Sequence, residues 1–449
     1  MNFQNARIFF LSWVIFFHGL VFNFLATADT INADSNFTYK ETVAIDTNNE
    51  YTDKHKEFEE TIQWLFNKVP YIKAQKSDIK TIGNKNNDHG IEKFQPNFDA
   101  MDQKSYNYLL YYDLEESKYS YTISYVLFDS LYQDGILSNS YTFAKKDFMK
   151  AIKNIATDVY LEITGEFGFF IGKLFYTQRS QLTGKQILFS ENIDHNKIQY
   201  TSANTLLTSP TYCMGGRRIF ISEKQKYTMN IQEINTIALF QTKVILPQEI
   251  NEHNLSSPEV SRDCKDLLFS TSDGTQSSIY KHSLINGTTD IVINNKNINT
   301  RPIFGPNGII YYISNKFGTP KIFSTHNGTT QIISRGMGSY IYISISPNLQ
   351  KIAFVKIFSG SFYVGTMNID GSNEILLKKG YIIEAPSWPP IGNNIIVTIQ
   401  DRKKSSIRKV YSISTLTGLA YQLRISHPDI VQANWVVDNN DTINNQYHF

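Results

Sequence analysis

Cys213 and Cys264 are the only thiols in a chain of 449 residues, so any thiolate chemistry has to begin with them. Two cysteines are too few for a disulfide framework or a cysteine-based zinc site. A bridge between them needs Cα atoms within about 7 Å. They sit near comparable turns of adjacent segments but at non-equivalent positions, which weighs against pairing, and spacing alone leaves the question open. The nine histidines are scattered. None falls in His-Glu-x-x-His, the spacing that sets two imidazoles and a general base on one helical face. No Gly-x-Ser-x-Gly elbow exposes a serine nucleophile. No Gly-x-x-x-x-Gly-Lys-Ser/Thr loop wraps phosphates, and Gly336-Met337-Gly338 lacks the onward spacing of a dinucleotide fingerprint. The neighbouring carboxylates Glu59-Glu60 and Glu115-Glu116 read as solvated surface. A sugar hydrolase assembled from distant carboxylates is the catalytic arrangement that spacing leaves open. The expectation is therefore a chain with no catalytic residues, no cofactor and no metal.

The elements that position these residues follow from length and pattern. At 51.6 kDa the chain exceeds one ordinary hydrophobic core, and 41% apolar with 14% aromatic residues supplies material for more than one. The formal charge of +2 gives no field that favours nucleic acid, and no nucleic-acid partner is expected. Residues 1–28 read as a secretory leader: Arg7, an apolar run from Ile8 to Leu25, and the small-x-small end Ala26-Thr27-Ala28, with cleavage after Ala28. An uncleaved anchor is the alternative, because the run approaches membrane-spanning length. Cleavage removes one charge, Arg7, and leaves a mature chain at +1 with no later run apolar enough to span a bilayer.

Residues 29–165 form a first unit. Asp53 to Val69 repeats Phe58, Ile62, Leu65 and Phe66 at helical spacing, and Lys145 to Thr164 does the same until Gly165 stops it. Residues 73–104 read as a loop with one short strand. Tyr106 to Asp113 and Ser120 to Asp129 read as strands, and Asp134-Gly135 as the tight turn before a partner strand from Ile136 to Phe143. The result is a small α/β domain with its helices on one sheet face.

Residues 166–449 repeat. Ser209-Pro210, Ser257-Pro258, Arg301-Pro302, Ala385-Pro386 and Ala433-Asn434 each place a turn residue shortly before an apolar one, and Tyr342-Ile343 fits without the proline. Taking 210, 258, 302, 343, 386 and 433 as equivalent gives intervals of 48, 44, 41, 43 and 47 residues. That is the length of a four-stranded propeller blade. The strand Gly172 to Thr177 lacks its preceding turn, whereas the final turn near Trp435 lacks a following strand. Six blades closed by the C-terminal strand satisfy both; a linear β-solenoid is the alternative and would leave edges exposed.

The leader, the small α/β domain, the junction Leu161 to Gly168 and six degenerate copies of a Ser-Pro-x-Trp-Ser-Pro-Asp-Gly repeat resemble the TolB family, periplasmic components of the Tol-Pal envelope system. The resemblance is clearest over Tyr121 to Gly168, Asn299 to Ile313 and Tyr340 to Trp388. The chain departs from the Pro-Asp-Gly turn at Met214-Gly215-Gly216, Arg262-Asp263-Cys264, Pro306-Asn307-Gly308, Pro347-Asn348-Leu349 and Pro390-Ile391-Gly392. The resemblance implies a non-enzymatic periplasmic adaptor in which one propeller face receives the lipoprotein Pal. His253-Asn254 before Ser257-Pro258 resembles the family's His-Asn-Gly-Ala-Pro, with one extra residue, and Thr300-Arg301-Pro302 its Thr-Glu-Pro. His253, Asn254, Ser257 and Thr300 are thus implied Pal contacts. TolA is implied as the partner of the N-terminal segment, Asp29 to Thr42, read here as polar and disordered. The competing reading is a periplasmic propeller that binds or hydrolyses a saccharide or peptide in its channel.

Overall fold

Five strands open the fold in the computed structural model, which describes residues 40–47, 51–79, 94–180, 183–202, 206–225, 228–401, 407–426, 429–438 and 441–442. They are β1 (Glu41–Asp46), β2 (Ile72–Lys76), β3 (Tyr108–Glu116), β4 (Ser120–Asp129) and β5 (Asp134–Ala144), in sheet order β2-β1-β3-β4-β5. Strand β1 runs parallel to both β2 and β3, and the remaining pairs are antiparallel. Helices α1 (Asp53–Asn67) and α3 (Phe148–Thr164) cover one face, burying Phe58, Ile62, Leu65, Ile152, Ile155 and Val159 against Tyr112, Ile123 and Leu127. The short helix α2 (Phe98–Gln103) covers part of the other face through Met101, with Phe94 stacked on Tyr111 at 3.7 Å.

Several expectations change here. Glu41 and Thr42, read as part of a disordered terminus, begin β1: the Glu41 N–H donates to the Tyr71 carbonyl at 2.9 Å and the Thr42 N–H to Asn107 Oδ1 at 2.8 Å. Two hydrogen-bonded neighbours and the buried Val43, Ala44 and Ile45 hold a strand that local polarity hid. The β4–β5 turn is Ser130 to Gln133, with Gln133 at φ 53°, and Asp134-Gly135 already belongs to β5. Gly135 instead faces a register shift at Phe128, where a Cβ would press on Val126 at 3.1 Å. Within 73–104, α2 is an addition. Glu59 is not solvated: it is 3% exposed, accepts from Tyr51 Oη at 2.8 Å and pairs with Lys76 at 3.2 Å. The leader and Ala28 lie outside the described residues.

The second half consists of six four-stranded antiparallel sheets. Their inner strands are Leu207–Cys213, Asn254–Val260, Asn299–Phe304, Ser339–Ile345, Ile382–Ser387 and Ile430–Val436. The last of these pairs with Lys173–Arg179, so the C-terminal strand completes the blade that the chain opened near Gly172. The architecture is an α/β region followed by a closed six-bladed propeller. Arg217 fastens the seam with a bidentate pair to Asp438 at 2.6 and 2.8 Å. Among the described residues no helix is long and apolar enough to cross a membrane.

The repeat prolines do not lie in turns between strands. Each lies inside an inner strand, one residue after a non-glycine residue with positive φ: Ser209 (54°), Ser257 (51°), Arg301 (51°) and Ala385 (45°). The ladder shifts register at each of these points. These are β-bulges, where the missing proline N–H costs no ladder bond. A turn and a bulge share the same residue chemistry, which is why the sequence reading placed them in turns.

Cys213 and Cys264 form a disulfide, Cα to Cα 5.7 Å, against the expectation from their non-equivalent positions. Cys213 ends one inner strand, and Cys264, at φ 57°, lies in the turn after the next. The lateral step between blades compensates for the offset in register.

The α/β region is seated where the inner strands end. Asn394, fully buried, accepts from the Phe167 N–H at 3.1 Å and donates to the Phe167 carbonyl and Ser412 Oγ. Phe170 enters the first core, between Phe66 and Tyr160. Beside this junction Glu166 is buried with one carboxylate oxygen unpartnered, and burial pushes its carboxyl up to about 7. The folded chain therefore holds a proton that the unfolded chain has released above its ordinary value of 4.5. Stability from this group is complete below that value and is lost as pH rises through about 7. Glu166→Gln is expected to flatten the decline between about pH 4.5 and 7 by on the order of 1–3 kcal/mol, read by denaturant titration. An unchanged pH profile would contradict the assignment.

Candidate functional site

The six positions of the sequence repeat meet at one place. Pro210, Pro258, Pro302, Ile343, Pro386 and Ala433 all line a single axial cavity of ≈ 120 Å³. One residue earlier on each inner strand, Ser209, Ser257, Arg301, Tyr342, Ala385 and Gln432 form an upper ring around the same cavity. One residue later, Glu259, Ile303, Ser344 and Asn434 contribute a lower ring. The bulges place these side chains, because an inserted residue re-aims its neighbours out of the ordinary pleat.

Hydrogen bonds join the inner strands across blade boundaries. The Ser209 N–H donates to Gln432 Oε1 at 2.8 Å, Thr211 Oγ1 to Glu259 Oε2 at 3.2 Å, and Ser387 Oγ to the Ala433 carbonyl at 2.9 Å. The wall of the cavity is thus fixed before anything enters it. In the lower ring, burial pushes the Glu259 carboxyl up to about 7, partly opposed by the Thr211 hydroxyl and the charge of Arg262. Arg262 reaches across to the Ser346 carbonyl at 3.2 Å.

Near the upper ring, buried Arg408 lies 3.0 Å from Glu384 and 3.2 Å from Asp429. Burial raises the Glu384 carboxyl, and the positive charges of Arg408, Arg179 and Arg301 pull it back. Arg301 itself stacks over the Tyr342 ring at 3.7 Å.

The residues implied as contacts cluster at this end. Ser257 lines the cavity and is 8% exposed. His253 and Asn254 are exposed at the start of the same inner strand, and Asn254 Oδ1 accepts from the Met229 N–H at 3.1 Å. Thr300 is half-buried on the neighbouring inner strand, next to Arg301. The inner strands begin here, so this rim is the end opposite the Asn394 junction. The sequence reading missed Arg301, Tyr342, Gln432 and Glu259. The first three were accessible from the repeat itself, since they occupy the column that holds Ser257.

A serine, a histidine and a carboxylate do meet elsewhere. Ser426 Oγ donates to Glu191 Oε1 at 2.5 Å, and His195 Nδ1 lies 2.7 Å from the same oxygen. Both partners engage the carboxylate, so the imidazole is not placed to take the serine proton, and the grouping is not a nucleophile with its base. Among the described residues no cluster of His, Cys, Asp or Glu is arranged to hold a metal ion.

Comparison with known proteins agrees with this architecture. The family model described as the TolB beta propeller domain matches residues 160–438. The Tol-Pal system protein TolB of Wolbachia pipientis wMel is 43% identical over 63 residues, 14% of this chain and 15% of its own length. That of Francisella tularensis subsp. holarctica is 25% identical over 271 residues, 57% of this chain and 61% of its own. The matched stretches thus span less than two thirds of these relatives. The crystal structure of TolB from Acinetobacter baumannii superposes with a TM-score of 0.71 at 18% identity, covering 89% of this chain and 97% of that one, and shares the fold.

Proposed function

This chain belongs to the TolB β-propeller family, and we propose that it is a non-enzymatic periplasmic adaptor of a Tol-Pal system. Its propeller face around the upper ring receives Pal at the outer membrane. The segment from Asp29 to the start of β1 engages TolA at the inner membrane; all but its last residues lie outside the described residues. The two contacts link the envelope layers, maintain outer-membrane integrity and drive its invagination during division.

One observation supports this reading: His253, Asn254, Ser257 and Thr300 lie on two neighbouring inner strands at the end of the ring where those strands begin, and Ser257 lines the axial cavity, whose wall is already hydrogen-bonded. Docking on a preorganised rim limits the entropy lost on association, and polar loop tips there supply recognition rather than core. His253→Ala combined with Thr300→Ala is expected to weaken retention of the Pal periplasmic domain by roughly 10-fold or more, at an unchanged melting temperature. Equal retention by the double variant would contradict the assignment. Turnover of a saccharide or peptide without Pal retention would favour the rival reading.

A further inference from the structure

We infer that the partner group seated at the channel mouth is a carboxylate held by Arg301; the inference rests on the docking reading above. In the upper ring, Ser209, Ser257, Tyr342, Ala385 and Gln432 are neutral, and Arg301 is the one charged member. Its backbone sits at φ 51° in the bulge it shares with Ser209, Ser257 and Ala385, which sets it in the same column of the ring. The guanidinium stacks on Tyr342 at 3.7 Å, which restrains its plane. Among the described residues it forms no ion pair, whereas Arg408 is taken up by both Glu384 and Asp429. Arg179 is the third guanidinium acting on Glu384. Arg408 thus takes up both carboxylates directly, and of the two remaining guanidinium groups, neither in an ion pair among the described residues, Arg301 is the one that lines the axial cavity.

A planar fork of this kind matches a carboxylate through two parallel hydrogen bonds, and a partly desolvated channel strengthens them. A Pal-type domain that fits this chain presents Asp or Glu where it enters the mouth.

The test is a set of dissociation constants for the Pal periplasmic domain with the mature chain and with Arg301→Gln, Arg301→Lys and Arg301→Glu, at low and high salt. Arg301→Gln is expected to weaken binding at least ~10-fold and Arg301→Glu further, with Arg301→Lys recovering part of the loss. The salt dependence should shrink in Arg301→Gln. Neutralising Pal acids one at a time should find one whose loss is not additive with Arg301→Gln. If the unsubstituted chain binds and Arg301→Gln binds equally well with the same salt dependence, the carboxylate assignment is overturned and docking stands. If the unsubstituted chain does not bind Pal, the docking reading fails and this inference with it. Should Arg301→Glu not fold, the glutamine and lysine variants carry the comparison.

Discussion

Trp435→Ala is expected to lower stability by about 3–5 kcal/mol, the range for removing a large buried aromatic. Trp435 lies on the last inner strand, 8% exposed, with its indole N–H donating to the Ile171 carbonyl at 2.7 Å. Its ring packs edge-on against Phe169 at 4.9 Å and Phe167 at 6.4 Å. Truncation opens a cavity and strands a buried carbonyl where the ring is closed by pairing between the propeller's first and last strands. Gly172 marks how close the two segments lie, since a Cβ there would meet the Val436 carbonyl at 2.5 Å. Guanidinium titration should show a lower midpoint, and loss of the C-terminal strand should precede loss of the other blades in hydrogen exchange. A shift under about 1 kcal/mol would mean that Trp435 is not a keystone of closure.

Arg408→Met is expected to cost about 3–5 kcal/mol at neutral pH, because it leaves two carboxylates without their shared cation. Asp429 is 3% exposed, and Glu384 is already raised by burial. Without Arg408 the buried Glu384 loses the largest charge opposing its upward shift, so its carboxyl favours protonation in the folded chain relative to the unfolded one. The penalty from Glu384 is therefore small in acid, where it is neutral in either state, and grows as pH rises from its ordinary value of 4.5 through its raised folded value. Denaturant titrations near pH 4 and pH 8 read the difference. Adding Glu384→Gln and Asp429→Asn to Arg408→Met should recover much of the loss at the higher pH. A loss independent of pH would place the effect in packing instead.

The ring was legible because the repeat column and the ring are the same residues. Positions 210, 258, 302, 343, 386 and 433, aligned on their spacing, all face one axis. The split copy at Gly172 and Trp435 likewise foretold closure by the C-terminal strand. What failed was local chemistry with two structural solutions. Serine or alanine before proline suits a turn and a bulge alike, and Asp134-Gly135 suits a hairpin turn as well as a bulged strand. Other failures were non-local. Cys213 and Cys264 meet through a step between blades, Glu59 is buried by partners on other elements, and β1 depends on neighbours 30 and more residues away. Arg301 was visible within Thr300-Arg301-Pro302, but its stacking on Tyr342 depends on the adjacent blade.

The central claim is that the rim around the upper ring is the docking face. Hydrogen exchange of the chain with and without the Pal periplasmic domain tests it most directly. Protection concentrated at 251–257 and 299–301, and absent from the junction around Asn394, is the predicted result. Protection confined to that junction or to the outer strands, with the rim unchanged, would contradict it.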